Sequence, residues 1–322
     1  MGRGSEVAER LKNRNAVVTG AGRGIGKAIA LALAEEGANV VVCDLGCSVD
    51  KTGADKAPAD EVVEKCRELG VKAVPHYGDV ADFKAAENMI DTCVRNFGRI
   101  DILCNIAGIF NLNMIFNMSE DEWDRVIAVH LKGTFNLTRH ATPLMRQQGY
   151  GRIVNCTSTS YHTPVPEMVG HANYVAAKGA IVSLTYAVAR EVGRYGVTCN
   201  AIAPSAVTRL STTWAIEGAK AGFMPDDLGL ESISPDQKLP YPSYFVPFVA
   251  YLASDAAADI NGCIFFAQAD MLGIYNKPEI VRYVSRDWQN EGRWPIEEIE
   301  KLVPEKLLVG YVNPAPPQPQ KK

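Results

Sequence analysis

Ala16-Val-Val-Thr-Gly20-Ala-Gly22-Arg-Gly24-Ile-Gly26 is the stretch on which the fold turns. Its first half is a short β-branched run that stops at glycine, the pattern of a buried strand. Lys27 to Glu36 continues as an Ala/Leu-rich helix closed by Gly37, and Ala38-Asn-Val-Val-Val-Cys-Asp44 is a second strand ending on a carboxylate. Strand, glycine turn, helix, strand and acid make up the βαβ order that binds a dinucleotide. The glycines let the backbone turn tightly and approach a pyrophosphate, while the helix N-terminus offers free N–H groups and the positive end of its dipole. Asp44 can accept hydrogen bonds from an adenosine ribose and would repel a 2′-phosphate.

Alternation continues past this unit. Gly46 to Pro58 is a long polar loop, followed by a helix over 60–69, a strand over 71–77, a helix over 82–97 and a strand over 100–105. Each βα repeat favours a right-handed crossover, which predicts one parallel sheet with helices on both faces. Ligands on such sheets gather at the carboxyl ends of the strands, where Asp79-Val80 and Asn105-Ile-Ala-Gly108 fall. As plain alternatives, Asp79 would cap the next helix and Asn105 would serve a turn. Ser119-Glu-Asp-Glu122 is a capping box that opens one helix running to about Gln148, with Trp123, Ile127, His130 and Thr134 as its inward stripe. Strands follow at 151–158, 197–203 and 262–268, and a helix at 173–193. Ser205 to Pro242 is apolar but irregular, which suits a lid over a substrate or a packing subdomain. From Met271 the chain reads as an ordered extension, and Pro314 to Lys322 as disordered.

The composition is that of a soluble globular protein: 322 residues, 47% hydrophobic and 22% charged. A net charge of −4 argues against a nucleic-acid partner. No apolar run reaches bilayer length, and Met1 to Asn15 lacks the apolar core of a signal peptide. The eight cysteines contain no Cys-x-x-Cys pair, so they read as reduced thiols of a cytoplasmic protein with no metal site.

The chemistry is expected at Tyr174-Val-Ala-Ala-Lys178. Residues four apart share one helical face, and a nearby ammonium favours a phenolate, pulling the Tyr174 pKa down toward working range. Such a pair is common on surface helices and means little alone. His130, among core positions, has the ordinary reading of a satisfied core histidine.

Together these residues resemble the short-chain dehydrogenase/reductase family. The resemblance rests on Thr19-Gly-Ala-Gly-Arg-Gly-Ile-Gly26, Asp79-Val80, Asn105-Ile-Ala-Gly108, Ser158, Tyr174-x-x-x-Lys178 and Asn200-x-x-x-Pro204, in the family's order over residues 14 to about 268. The fold expected is α/β, a doubly wound Rossmann sheet of seven parallel strands in the order 3-2-1-4-5-6-7. A single domain would occupy residues 1–270, with a lid at 205–242 and an extension at 271–322. The resemblance implies Tyr174 as general acid/base, Lys178 as the group that lowers its pKa and holds the nicotinamide ribose, and Ser158 as the residue that polarises the substrate oxygen. It further implies a dinucleotide held by Gly20, Arg23, Gly24, Ile25, Gly26, Asp44, Asp79, Val80, Asn105, Ala107, Gly108, Tyr174, Lys178, Pro204, Val207 and Thr208. Asp44 favours NAD over NADP, although Arg23 stands where some NADP-using relatives carry a basic residue.

Departures from the family pattern are informative. His130 stands where the family has an Asn that supports the proton relay behind the lysine, and histidine can also donate and accept. The Ser158–Tyr174 interval is longer than usual, Ser205 replaces a glycine, and only one Asn is present at 104–105. Val129-His-Leu-Lys-Gly-Thr-Phe135, Asp44-Leu-Gly46 with its polar insert, and Ala203-Pro-Ser-Ala-Val-Thr-Arg209 are similar to the (3R)-hydroxyacyl-CoA dehydrogenase module of peroxisomal multifunctional enzymes. That implies an NAD-dependent alcohol/ketone oxidoreductase, with a 3-hydroxyacyl-CoA as candidate substrate. The rival readings are a dehydrogenase of a cyclic or steroid-like alcohol, a 3-ketoacyl reductase, and a non-catalytic dinucleotide sensor. Family resemblance implies a homotetramer or homodimer joined through the helices at 119–148 and 173–193. Ala176, Ala177, Gly179, Ala180, Ser183 and Ala187 would allow close approach.

Overall fold

The computed structural model describes residues 9–47, 53, 55–161, 169–208 and 241–311. The chain forms two compact units, Met1–Tyr275 and Asn276–Lys322. In the first, strands and helices alternate: β1 (Asn15–Thr19), α1 (Gly24–Glu35), β2 (Asn39–Cys43), α2 (Ala57–Glu68), β3 (Ala73–His76), α3 (Phe83–Phe97), β4 (Ile102–Asn105), α4 (Glu120–Ile127), α5 (Gly133–Gln148), β5 (Gly151–Cys156), α6 (Ala172–Val192), β6 (Val197–Pro204), α7 (Val246–Ala253), β7 (Ile264–Ala267) and β8 (Leu272–Ile274).

One sheet holds the strands in the order β3-β2-β1-β4-β5-β6-β7-β8. Successive side chains of a strand point to opposite faces, so each strand feeds two cores. Val18, Val40, Val42, Ile102, Val154 and Ile202 face one layer, packed under α1, α2 and α7. Val17, Val41, Leu103, Ile153 and Cys199 face the other, under α3, α5 and α6. Burial on both faces is why these strands are near-continuous apolar runs rather than alternating ones.

The seven expected strands are all present and parallel, in the expected order. The sheet goes one strand further: β8 pairs antiparallel with β7, Phe266 opposite Gly273, across a turn closed by Gln268 N donating to Met271 O at 2.9 Å. Three residues with exposed Leu272 and Ile274 leave too little pattern to read as a strand. The strand lies past residue 270, inside the segment expected as an extension. Helix α7 was also invisible in the sequence; its eight residues are apolar nearly all round, with no helical stripe.

The single helix expected over 119–148 starts at its capping box, where Ser119 and Glu122 satisfy each other's backbone N–H groups. It is not uniform, because Ala128–Lys132 forms a π-helical segment between α4 and α5. The wider turn rotates the first part of the helix relative to the second. The expected stripe is therefore broken: His130 and Thr134 are buried, but Trp123 is 37% exposed and Val126 takes the inward position. Along α6, Ala176, Ser183 and Ala187 are exposed, whereas Ala177 faces the core. All eight cysteines are free thiols. Among the described residues no helix is long and apolar enough to cross a membrane. The expected lid falls mostly on residues 209–240, outside the described residues, as does the tail from 312.

The second unit contains α8 (Trp288–Glu291) and α9 (Ile296–Leu302), the latter followed by a π turn at Val303–Leu307. Arg286 ties them, bonding the Glu298 carboxylate and the Glu291 carbonyl.

Strand order reverses between β1 and β4, and Thr19 closes that seam. Its hydroxyl, 1% exposed, accepts from Ile106 N at 3.0 Å and Ala107 N at 3.2 Å. We predict that Thr19→Val, which orphans both amides, costs about 2–4 kcal/mol. Thr19→Ser keeps the hydroxyl and should cost less. Urea unfolding measures both, and equal losses would show that the hydroxyl contributes nothing.

Candidate active site

The reversal of strand order opens a crevice at the carboxyl ends of the strands, where ligands of open α/β sheets sit. Here it is a cavity of about 420 Å³. Its floor is the glycine turn. Gly20 and Gly24 hold φ of +62° and +55°, and a Cβ on Gly26 would lie 2.1 Å from the Gly20 carbonyl oxygen. Only glycine satisfies the turn and lets α1 begin so close to β1.

At one end stands Asp44. Its Oδ2 accepts from Gly22 N at 2.8 Å and its Oδ1 from Gly46 N at 2.7 Å, so two backbone amides fix the carboxylate. A Cβ on Gly22 would approach Asp44 Oδ2 to 2.9 Å, which leaves a narrow cradle between turn and acid. Arg23 turns toward the polar insert, 3.4 Å from Cys47 O and 3.7 Å from an Asp55 carboxylate oxygen. Asp79 lines the cavity and accepts from Ala81 N at 2.9 Å, whereas Asp82 is the residue that caps α3. Val80, Ile25, Ala107, Gly108, Pro204 and Thr208 also line the wall.

Two expected cofactor residues are not in the lining: Asn105 and Val207. Asn105 points below the site, donating to Asn155 Oδ1 at 2.9 Å and Thr138 Oγ1 at 3.2 Å. It ends a strand buried on both faces, so its amide serves the core rather than the crevice.

At the other end, Ser158, Tyr174, Lys178 and His130 meet in the same cavity. Tyr174 and Lys178 lie one turn apart on α6, with Lys178 Nζ 5.5 Å from the phenol ring centroid. Lys178 is buried and donates to Cys156 O at 2.6 Å, while Thr157 Oγ1 donates to the Lys178 carbonyl at 2.8 Å. Asn173, fully buried, fixes the helix start: its Nδ2 donates to Glu122 O and Asn111 O, and its Oδ1 accepts from Tyr174 N at 2.7 Å. Ser158 Oγ donates to Ser160 Oγ at 3.0 Å and accepts from Ser160 N at 3.2 Å, and it lines the cavity together with Tyr174.

Burial raises the Tyr174 phenol well above its ordinary value, and the Ser158 hydroxyl pulls it partly back. Burial also lowers Lys178. Desolvation is the leading influence on both groups, because each is buried and burial disfavours its charged form.

His130 is 2% exposed, and its ring stands edge-on to Tyr174 at 5.2 Å between centroids. Its Nε2 lies 2.7 Å from Ile109 O and 3.0 Å from Ile109 N. The shorter contact assigns the proton to Nε2, donating to the carbonyl. Its Nδ1 is then an acceptor with no protein partner among the described residues. Burial, then the Lys178 charge, lowers its pKa to about 3, so the imidazole is neutral. The ring occupies the space beside Gly108, where a Cβ would fall 2.4 Å from His130 Cε1.

Phe110, whose ring lies 4.3 Å from that of Tyr174, and Arg125 and His171 complete the substrate side. Folding alone brings Phe110 and Arg125 to Tyr174, whereas His171 is its near neighbour in the chain, at the N-cap of α6. Asn173 carried a signal in hindsight, as a polar residue opening an otherwise apolar helix.

Comparison with known proteins gives a consistent result. The model of the short chain dehydrogenase family matches residues 14–217. Hydroxyacyl-CoA dehydrogenase ChsB1 of Mycobacterium tuberculosis is 39% identical over 285 residues, covering 86% of this chain and 84% of that one. The peroxisomal multifunctional enzyme type 2 of Drosophila melanogaster is 40% identical over 253 residues, 79% of this chain but 38% of that longer protein. A 3-oxoacyl-[acyl-carrier-protein] reductase of Staphylococcus epidermidis is 40% identical over 250 residues, 78% of this chain and 95% of that one. The crystal structure of a short chain dehydrogenase from Mycobacterium avium superposes with a TM-score of 0.75 at 36% identity, covering 96% of this chain and 98% of that one. The chain belongs to the short-chain dehydrogenase family. It is an oxidoreductase that interconverts an alcohol and a ketone by hydride transfer with a nicotinamide dinucleotide. The glycine cradle and the Asp44 carboxylate fit such a cofactor.

The buried imidazole carries a pH prediction. Folded His130 stays neutral down to about pH 3, whereas an unfolded histidine takes up a proton below about pH 6.5. Between those values the unfolded chain binds the extra proton, so stability falls as pH drops through the window. This group alone should cost about 2 kcal/mol at pH 5 relative to pH 7. Denaturant titrations at both pH values test it: His130→Asn should lose about 2 kcal/mol less on acidification than wild type. Identical losses would mean that the imidazole is not held neutral.

Proposed function

We propose that this short-chain dehydrogenase interconverts a 3-hydroxyacyl-CoA and its 3-ketoacyl form, with NAD(H) as cofactor. The observation that carries the reading is the constellation of Ser158, Tyr174 and Lys178 in one cavity, with the lysine one helical turn from the phenol. The bound nicotinamide supplies the hydride acceptor or donor. The side chains handle the oxygen and its proton.

Ser158 Oγ holds the substrate oxygen, and Tyr174 exchanges a proton with it. Burial keeps the phenol protonated, the state that donates to a ketone oxygen. In the oxidising direction Tyr174 accepts the proton instead, and Lys178 is the cation placed to favour the phenolate. Lys178 is held for that task by the Cys156 carbonyl. His130 is a positioning residue: its Nε2–H is tied to Ile109 O, which leaves Nδ1 as an acceptor in the cavity shared with Lys178.

The preference for NAD rests on Asp44. A 2′-phosphate at the ribose would face a carboxylate already fixed by Gly22 and Gly46, and Arg23 is engaged by Asp55. The thioester substrate is supported by the name of the ChsB1 relative, a hydroxyacyl-CoA dehydrogenase. The exposed small residues Ala176, Ser183 and Ala187 on α6 suit close helix approach in a homotetramer or homodimer, and the free thiols suit the cytoplasm.

Absorbance of NADH during turnover of a 3-hydroxyacyl-CoA tests the reading. Tyr174→Phe should lower kcat by about 10²- to 10⁴-fold, the usual contribution of one acid/base group, with NAD affinity retained in calorimetry. Full turnover in that variant would refute the assignment. Calorimetry with both dinucleotides tests Asp44: NAD(H) should bind tighter, Asp44→Ala should narrow the gap, and tighter NADP(H) binding to wild type would overturn the preference.

A further inference from the structure

The cavity differs in charge along its length. Its carboxylates, Asp44 and Asp79, stand on the dinucleotide side, and the described lining residues of the substrate side include none. A guanidinium is there instead. Arg125 and Val129 are four apart in the chain, and both line the cavity from the helix that carries His130.

Arg125 has an obvious partner that it does not use. Asp121 lies four residues before it, the spacing and order at which an acid pairs well with a cation on a helix. Glu122, three residues before it, is occupied by Ser119 and Asn113. The Arg125 guanidinium makes no hydrogen bond or ion pair with any described residue. It is exposed while lining the cavity, which places it at the rim, where a substrate arm longer than the cavity must pass. A guanidinium is a planar fork of N–H donors that matches a phosphate bidentately. With a net charge of −4, the chain offers a polyanionic arm no general attraction, so a local cation has to supply it.

We propose that Arg125 is a specificity-determining residue that receives a phosphate of the substrate's CoA arm. The inference rests on the thioester reading above, and it assigns Arg125 no part in the proton or hydride step.

The test uses the full chain as wild type, Arg125→Gln and Arg125→Lys, in two independent arms. In the first, free CoA is titrated by calorimetry into each NAD-bound protein. Arg125→Gln should weaken CoA binding at least about tenfold, the loss of one charge-assisted contact, and Arg125→Lys should recover part of it. In the second, kcat/KM is compared between a 3-hydroxyacyl-CoA and the matching N-acetylcysteamine thioester, which has no phosphates. The CoA preference should fall at least about tenfold in Arg125→Gln, with the loss in KM. Equal CoA affinity in wild type and Arg125→Gln, or no CoA binding to wild type, overturns the proposal. So does an equal loss on both thioesters, which would mark Arg125 as merely structural. If wild type turns over neither thioester, the substrate reading fails, and the CoA titration still decides Arg125.

Discussion

The site depends on the seam where β1 and β4 lie side by side. Strands on either side of it wind outward in opposite directions, so the loops leaving their carboxyl ends part and leave a crevice. The seam must be tight for the crevice to have a floor. Thr19 draws in the first two amides after β4, and Gly20 approaches Ala107 so closely that a Cβ would sit 2.8 Å from its Cα. The glycine turn, the start of α1 and the Ala107-Gly108 wall all inherit their positions from this contact.

Burial of the groups proposed to handle the proton is the second constraint. Tyr174, Lys178 and His130 are all enclosed, and enclosure disfavours the charged form of each. The fold answers two of these costs locally. The Cys156 carbonyl receives the lysine, and Ile109 takes the one proton of a neutral imidazole. Asn173 then locks the first turn of α6 against α4 and the loop after β4. A single buried amide thus ties two segments to the backbone of Tyr174.

Much of this was legible in the sequence because it is local. The strand–turn–helix–strand order follows from periodicity and glycine, the capping box from Ser119 and Glu122, and the shared face of Tyr174 and Lys178 from a four-residue interval. Readings failed where a short-range pattern was overruled from a distance. The π segment around His130 breaks a stripe that is helical on paper, which turns Trp123 outward and Val126 inward. Asn105 lies in a motif that faces a ligand by position, yet its amide is drawn into the core by Asn155 and Thr138. The eighth strand exists only because β7 offers it a free edge.

The sequence by itself determined the class of fold, the glycine turn with its acid, and the placing of Tyr174 and Lys178 on one helical face, since each is written in residues close along the chain. Tertiary structure alone decided the electrostatic state of that pair and the shape of its surroundings. A pKa depends on what encloses a group, and Phe110 and Arg125 come from segments remote from Ser158 and Tyr174 in the chain. Sequence spacing sets the lysine one turn from the tyrosine, and only the folded protein adds the burial that raises the phenol and lowers the ammonium.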